Sequence, residues 1–419
     1  MTQYCTQLKE ENINMFSYFK EYFDFRAFFI CLALVIVGLV SIYSATFDIN
    51  NAANFYRQAL WASIGFIIMV VTSFIPLRTL QRLSFFFYSI VLAILVIILV
   101  IGSTIRGSKS WFGISGLGGQ PSEFAKIATV LAFASYLSRT DVSLSQVKQL
   151  FISLCIFAAP MFLILAQPDL GTTIVFFAAL LPLLYWAGAS NFILIAILVP
   201  ILAAFGALLG TTQFLIAVAI GAVLLYIFRE NKFTVAVAFG ITLAIGLSVQ
   251  VIYERMHVYQ QKRISVFLNP EADPLGAGYN IVQSKIAIGS GGFFGKGFLK
   301  GTQTQLNYIP EQWTDFIFCV TGEEFGFLGA SIVLGLFAAL LLHALRVASI
   351  SKNRFSSLAA IGIMGIFGTH IIVNTGMSMG LMPVVGLPLP FLSYGGSALV
   401  ANMTMIGLLM NFYANRKEY

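Results

Sequence analysis

The chain has 419 residues, of which 58% are hydrophobic and only 10% charged, with a formal net charge of +7. Soluble domains carry about 25% charged residues; apolar runs of roughly 16–25 residues recur here instead, which excludes a soluble globular fold and predicts an all-α polytopic membrane protein. The basic excess is accounted for by membrane topology rather than nucleic acid, and the four cysteines (Cys5, Cys31, Cys155, Cys319) form no C-x-x-C pair, so disulfide or metal roles are not expected.

Residues 1–24 begin polar and read as a cytoplasmic N-terminal segment without a cleavable signal, while 25–419 read as one integral membrane domain. Apolar segments follow at 27–46, 58–75, 83–101, 124–137, 150–166, 171–187, 192–209, 214–228, 233–252, 316–342, 358–379 and 398–412. These are about twelve predicted spans. Alternating them from a cytoplasmic N-terminus puts Lys9, Lys20, Arg26, Arg78, Arg82, Arg139, Lys148, Arg229, Lys232, Arg346, Lys352, Arg354, Arg416 and Lys417 inside, as the positive-inside rule requires. Both termini are then cytoplasmic, and the stretch between the ninth and tenth spans faces outward.

A first polar interruption on the outer side holds Arg106 and Lys109, then Glu123 and Lys126 after Pro121. Proline suits the first turn of a helix. Glu123 and Lys126, three apart, share a face and can pair; the plain reading is a neutralised pair within the membrane, the functional one a cation at the rim of an anionic lipid site. Asp169, in Q-P-D-L-G-T, would cap the following helix. His257, His343 and His370 are scattered and suggest no metal site.

The stretch 263–329 gathers six of the 17 acidic residues, Glu271, Asp273, Glu311, Asp315, Glu323 and Glu324, with Arg263, Lys285, Lys296 and Lys300. Scarce charge concentrated in this way serves a polar task. Asp273 opens an Asp-Pro-x-Gly sequence, which suits an ordinary turn as well as it suits a reactive carboxylate. The glycine run 289–297 could offer backbone amides to an anion or form a flexible surface hairpin, and no Walker spacing is present. Thr314-Asp315 is placed to cap the tenth span. Glu323 and Glu324 lie inside that span, costly unless paired or facing a cavity. Further on, Pro383, Pro388 and Pro390, with the glycines around Tyr394, predict a broken backbone at membrane depth that must line a cavity or be buried in protein.

Taken in order, R-G-S-K-S-W with Q-P-S-E-F-A-K, Q-P-D-L-G-T, D-P-L-G-A-G-Y, Q-S-K-I-A-I-G-S-G-G, T-D-F-I-F, G-E-E-F-G-F-L-G and G-L-P-L-P-F-L-S-Y-G-G-S resemble the SEDS family (shape, elongation, division and sporulation) across nearly the whole chain. K-G-T-Q at 300–303 resembles its rod-shape, RodA-like elongation branch. The resemblance implies a SEDS-like bundle of ten helices with a large outer loop, here between Tyr253 and Trp313. The present chain has about two further apolar segments near 192–252, and Trp313 stands where many relatives carry histidine.

The resemblance also implies a peptidoglycan glycosyltransferase of the bacterial inner membrane that polymerises lipid II into β-1,4 glycan during cell-wall elongation, with inversion and release of undecaprenyl diphosphate. It makes Asp273 the candidate catalytic base. The candidate substrate-binding residues are Arg106, Lys109, Glu123, Lys126, Arg263, Gln283, Ser284, Lys285 and Lys296. Asp169, Asp315, Glu323, Glu324, Pro388, Pro390 and Tyr394 are candidate supporting residues. A divalent cation, Mg or Mn, at the diphosphate is chemically reasonable, but no ligand set identifies it. The implied partners are the growing lipid-linked glycan, a class B penicillin-binding protein and other elongation-complex membrane proteins. A lipid II flippase or a non-catalytic scaffold for a transpeptidase are the alternatives, since a broken helix and an interior ion pair suit a transporter too.

Overall fold

The computed structural model describes residues 23–47, 52–105, 108–111, 119–229, 231–255, 261 and 278–418. The helices are α1 (Phe25–Thr46), α2 (Ala52–Ser73), α3 (Leu77–Ile101), α4 (Pro121–Leu137), α5 (Val147–Ala166), α6 (Leu170–Trp186), α7 (Asn191–Leu209), α8 (Thr211–Ile227) and α9 (Lys232–Arg255). They continue with the short α10 (Tyr279–Ser290) and α11 (Thr302–Gln305), then α12 (Ile317–Ile350), α13 (Arg354–Ser378) and α14 (Gly396–Ala414). A small antiparallel hairpin, β1 (Ser103–Ile105) with β2 (Ser108–Trp111), sits between α3 and α4. Each apolar segment of the sequence is a helix.

Among the described residues nine helices are long and apolar enough to cross a membrane, where hydropathy predicts about twelve spans. The other three, α4, α6 and α8, have 17 residues each. At 1.5 Å per residue that is about 25 Å, against a hydrocarbon core about 30 Å thick. Local sequence starts several helices: Asp24, Asp169, Ser190 and Asn353 each accept a backbone N–H of the following first turn, satisfying donors that the helix itself cannot. Pro121 opens α4 as expected.

Contacts between sequence-distant residues sort the helix ends into two groups. At one end Ser44 meets Glu324, Gln58 meets Ser393, and Gln120 meets Ser397 and Asp169. At the other Asp24 meets His343, Gln81 meets Ser138, Trp186 meets Ser357, and Asn411 meets Ser73 and Ile75. The first group joins the ends of α1 and α5 to the starts of α2, α4, α6, α12 and α14, which is the alternation that the charge pattern predicts.

One hydrophobic core is built from α1–α6 and α12–α14. Helices α7–α9, the region of the expected extra segments, have a separate small core of Phe192, Val199, Leu225 and Ala238. Their outer faces are apolar and bare, with Leu215 60% and Phe233 73% exposed. A surface like this is stable only against lipid or another apolar body.

Candidate functional site

The glycine run, which the sequence leaves open between an anion nest and a surface hairpin, is a turn packed against a break in α12. Helix α12 breaks at Gly326, which adopts φ 65° and ψ −162°, a conformation open to glycine at little cost. The run 291–297 lies along this break. Gly295 N–H donates to Gly291 O, Lys296 N–H to Glu323 O and Gly297 N–H to Glu324 O, while Phe327 N–H returns to Gly292 O. These amides are engaged within the protein and cannot cradle an anion. A Cβ on Gly291 would lie 2.1 Å from Gly322 O, so the close approach of the two backbones requires glycine there.

The break turns the Glu323 carboxylate, wholly buried, into the loop that precedes α12. Its Oε1 accepts from Lys296 Nζ at 2.7 Å, Thr302 Oγ1 at 3.2 Å and Gln303 N–H at 2.9 Å. Its Oε2 accepts from Thr304 N–H at 2.9 Å and Thr304 Oγ1 at 2.7 Å. Glu324 points the other way, accepting from the Ser44 hydroxyl of α1 and from Gln305 Nε2. The two glutamates therefore fasten the outer loop to α12 and α1. Pairing with Lys296 meets the charge cost at Glu323, whereas among the described residues Glu324 has only neutral donors, both on Oε1, and its Oε2 is buried without a hydrogen bond.

A second polar cluster lies in the core of the same half of the bundle. Lys126 Nζ is 2.9 Å from Glu123 Oε2 and 2.8 Å from His370 Nε2, and the Lys126 and Glu123 side chains are 1% and 4% exposed. His370 Nδ1 lies 3.0 Å from Pro388 O. A carbonyl only accepts, so Nδ1 carries the proton and Nε2 accepts from the ammonium. Lys126 thus links α4 to α13 and, through His370, to the proline loop. That loop is further held by Asn374 Nδ2, which donates to Asp315 O and Leu387 O, by Ser393 Oγ, which donates to Thr314 O, and by Tyr394 N–H, which donates to Trp313 O. Pro390 is buried and Pro388 half-buried. The broken backbone is thus packed in protein, as membrane depth demands.

Removing one member of a buried ion pair leaves an uncompensated charge, a loss of about 3–5 kcal/mol. Lys126→Met is accordingly expected to unfold well below wild type in a detergent melt, and the double variant Glu123→Gln/Lys126→Met to recover most of the loss. Equal melting of wild type and Lys126→Met would show that the pair does not hold the core.

Asp169 does cap α6: its Oδ1 accepts from Thr172 N–H at 3.0 Å, and its Oδ2 accepts from Thr172 Oγ1 and Gln120 Nε2. Burial pushes this carboxyl up from its ordinary value, while the Thr172 bonds act in the opposite sense. Thr314-Asp315 does not cap α12. The N-cap position is Phe316, with no side-chain bond, because a turn closed by Asp315 N–H to Glu311 O sets Asp315 one residue too early.

On α10, Gln283 is half-buried, and Ser284 is buried with its hydroxyl donating to Ser378 O at 2.7 Å. Lys285 is exposed, and its stem runs over Gly380, where a Cβ would lie 2.2 Å from Lys285 Cε. Lys296 is committed to Glu323. Asp273, Arg263 and Arg106 lie outside the described residues, as does the side chain of Lys109, whose backbone is in β2. Among the described residues no three His, Cys, Asp or Glu side chains gather into a metal-holding group. Sequence reasoning missed His370 as the bridge from Lys126 to the proline loop. The signal available was a histidine within an apolar span, which needs a buried partner.

A family model for cell cycle proteins, FtsW/RodA/SpoVE, matches residues 25–214 and 201–418. The peptidoglycan glycosyltransferase RodA of Treponema pallidum is 36% identical over 94% of this chain and 98% of its own length. The peptidoglycan glycosyltransferase MrdB of Escherichia coli K12 is 36% identical over 95% of each. A chain from a solved peptidoglycan synthase complex, described as coordinating polymerization and crosslinking, superposes with TM-score 0.72 at 26% identity, over 95% of this chain and 99% of that chain. The rod shape determining protein RodA of Thermus thermophilus shares the fold, with TM-score 0.64 at 24% identity over 95% and 98%.

Proposed function

The chain belongs to the FtsW/RodA/SpoVE family of cell cycle proteins, and we infer from that membership that this multi-pass membrane protein is a peptidoglycan glycosyltransferase that polymerises lipid II. The observation that carries the reading is the 36% identity to the MrdB glycosyltransferase across 95% of both chains.

The reaction we propose joins the 4-hydroxyl of the GlcNAc of one lipid II to C1 of the MurNAc at the reducing end of the growing glycan. Undecaprenyl diphosphate leaves and a β-1,4 bond forms with inversion. The acceptor proton needs a base, the departing diphosphate needs cations, and the prenyl chains need an apolar surface. We assign the base to Asp273. For the diphosphate, Lys285 is the best placed of the described cations: it is exposed near the end of α13 and has no ion pair among the described residues. Lys296 is already matched by a buried carboxylate. Arg263, Arg106 and Lys109 complete the proposed cation set. The Lys126–Glu123 pair, buried and bonded to His370, is read as holding the core beside the site rather than touching phosphate. The described residues offer no ligand set for Mg or Mn, and no step here runs through a metal.

We place the protein in the bacterial inner membrane, as its family membership implies, with both termini cytoplasmic, which the charge alternation supports. A class B penicillin-binding protein is the proposed partner, supported by the likeness to a chain of a peptidoglycan synthase complex; other elongation-complex membrane proteins remain part of the proposal. Purified protein supplied with lipid II in detergent tests the reading: glycan strands resolved on a gel are expected. Transfer of lipid II across liposomes with no polymer, with and without the partner, would overturn it in favour of a flippase.

A further inference from the structure

At the end of the bundle away from the proposed site, α1 and α12 part to leave a groove of about 530 Å3, lined by Phe25, Arg26, Phe29, Ile30, Leu342 and Arg346 among others. Arg26 sits in the first turn of α1 and Arg346 near the last turn of α12. Both are therefore at the depth where a span meets lipid headgroups. Both side chains are exposed, and neither has a hydrogen bond or ion pair among the described residues. The nearby carboxylate is not available to them: Asp24, 2% exposed, caps α1 at Ala27 N–H and lies 2.5 Å from His343 Nε2.

A single arginine at the end of a span ordinarily reaches for bulk headgroups. Here two guanidiniums from two different helices flank one apolar groove, and no acid among the described residues pairs with either. Guanidinium is charged at any working pH and binds phosphate oxygens in a two-pronged fashion. Below the arginines the groove wall is hydrocarbon, with Phe29 58% and Leu342 66% exposed. A free phosphate ion would leave that wall uncovered.

We propose that this groove is a binding site for an anionic phospholipid, its phosphodiester between Arg26 and Arg346 and an acyl chain along Phe29, Ile30 and Leu342. Basic pockets between membrane helices take anionic headgroups for this reason. The bound lipid bridges α1 and α12, the same two helices that Ser44 and Glu324 join at the opposite end. The inference does not depend on the catalytic reading.

Native mass spectrometry of the full-length protein in detergent, with phosphatidylglycerol and phosphatidylcholine of identical chains added in equal amounts, tests it. Wild type is expected to retain phosphatidylglycerol preferentially. The double variant R26Q/R346Q should lose that preference by on the order of tenfold to thirtyfold. L342W, which fills the groove and leaves both charges, should also lower retention. Melting temperatures of each variant without added lipid establish that it is folded; a misfolded variant is replaced by R26K/R346K, for which partial retention is expected. Equal retention of both lipids by wild type, or unchanged preference in R26Q/R346Q, overturns the proposal. So does displacement of the lipid by millimolar inorganic phosphate, which would mark a free-anion site. A photo-crosslinker at position 342 that captures a protein helix in native membranes, and no lipid, would overturn it in favour of a partner interface.

Discussion

Replacing Asp273 by asparagine is expected to slow lipid II polymerisation on the order of 10²–10⁴-fold, the usual contribution of a positioned general base. The substitution keeps the size and shape of the side chain and removes its basic oxygen. It also separates the two readings that the Asp-Pro-x-Gly sequence permits. Asparagine starts turns as readily as aspartate does, so a residue needed only for the turn would tolerate the change and glycan synthesis would continue at the wild-type rate. A base would not. Glu271→Gln is the matching control two residues away, expected to retain activity; loss of polymer from Glu271→Gln with Asp273→Asn unaffected would move the assignment to Glu271. Binding of lipid II should persist in Asp273→Asn, since the base acts on the acceptor proton and the proposed anchor of the diphosphate is cationic.

The second large effect is expected at Glu323. Its two oxygens accept from Lys296, Thr302, Gln303 and Thr304 while the carboxylate itself is 0% exposed. Truncation to alanine strands these donors and leaves Lys296 without its partner, a cost of about 3–5 kcal/mol for a buried pair broken on one side. Glutamine is expected to be little better, because one carboxylate oxygen becomes an NH2 group directed at donors that need an acceptor. Both variants should melt below wild type in detergent, and protease should cut sooner within 296–305, the segment that Glu323 ties to α12. Wild-type melting and wild-type protection of that segment in Glu323→Ala would show the carboxylate to be dispensable for the loop. Lys285→Met offers the contrast: its exposed amine has no such network, so its loss should leave melting unchanged and lower only the rate of glycan synthesis.

Much of the membrane fold was legible from hydropathy. Each of the twelve apolar segments became a helix, since a backbone in hydrocarbon must satisfy its own hydrogen bonds. The cap at Asp169 was legible too, because its side chain accepts locally; those at Asp24 and Ser190 were not anticipated. The glycine run was misread because glycine is compatible with an open anion nest, a mobile hairpin or a tight backbone contact; which of these applies depends on the partner, here the break in α12 some thirty residues later. Thr314-Asp315 was misread for a similar reason: capping potential is local, but the turn closed by Asp315 N–H to Glu311 O puts Phe316 at the cap position.

What the sequence determined by itself was membrane residence, the alternation of helix ends and the ordered motifs that mark the family, because these depend on composition and spacing along the chain. Only the tertiary structure decided how the scarce charges are spent. It joined Lys126 to His370 across 244 positions, gave Lys296 to Glu323, and set Arg26 and Arg346 beside one groove with no ion pair among the described residues. Pairing in a low-dielectric interior depends on distances of a few ångströms between residues far apart in the chain, and no local pattern encodes those distances.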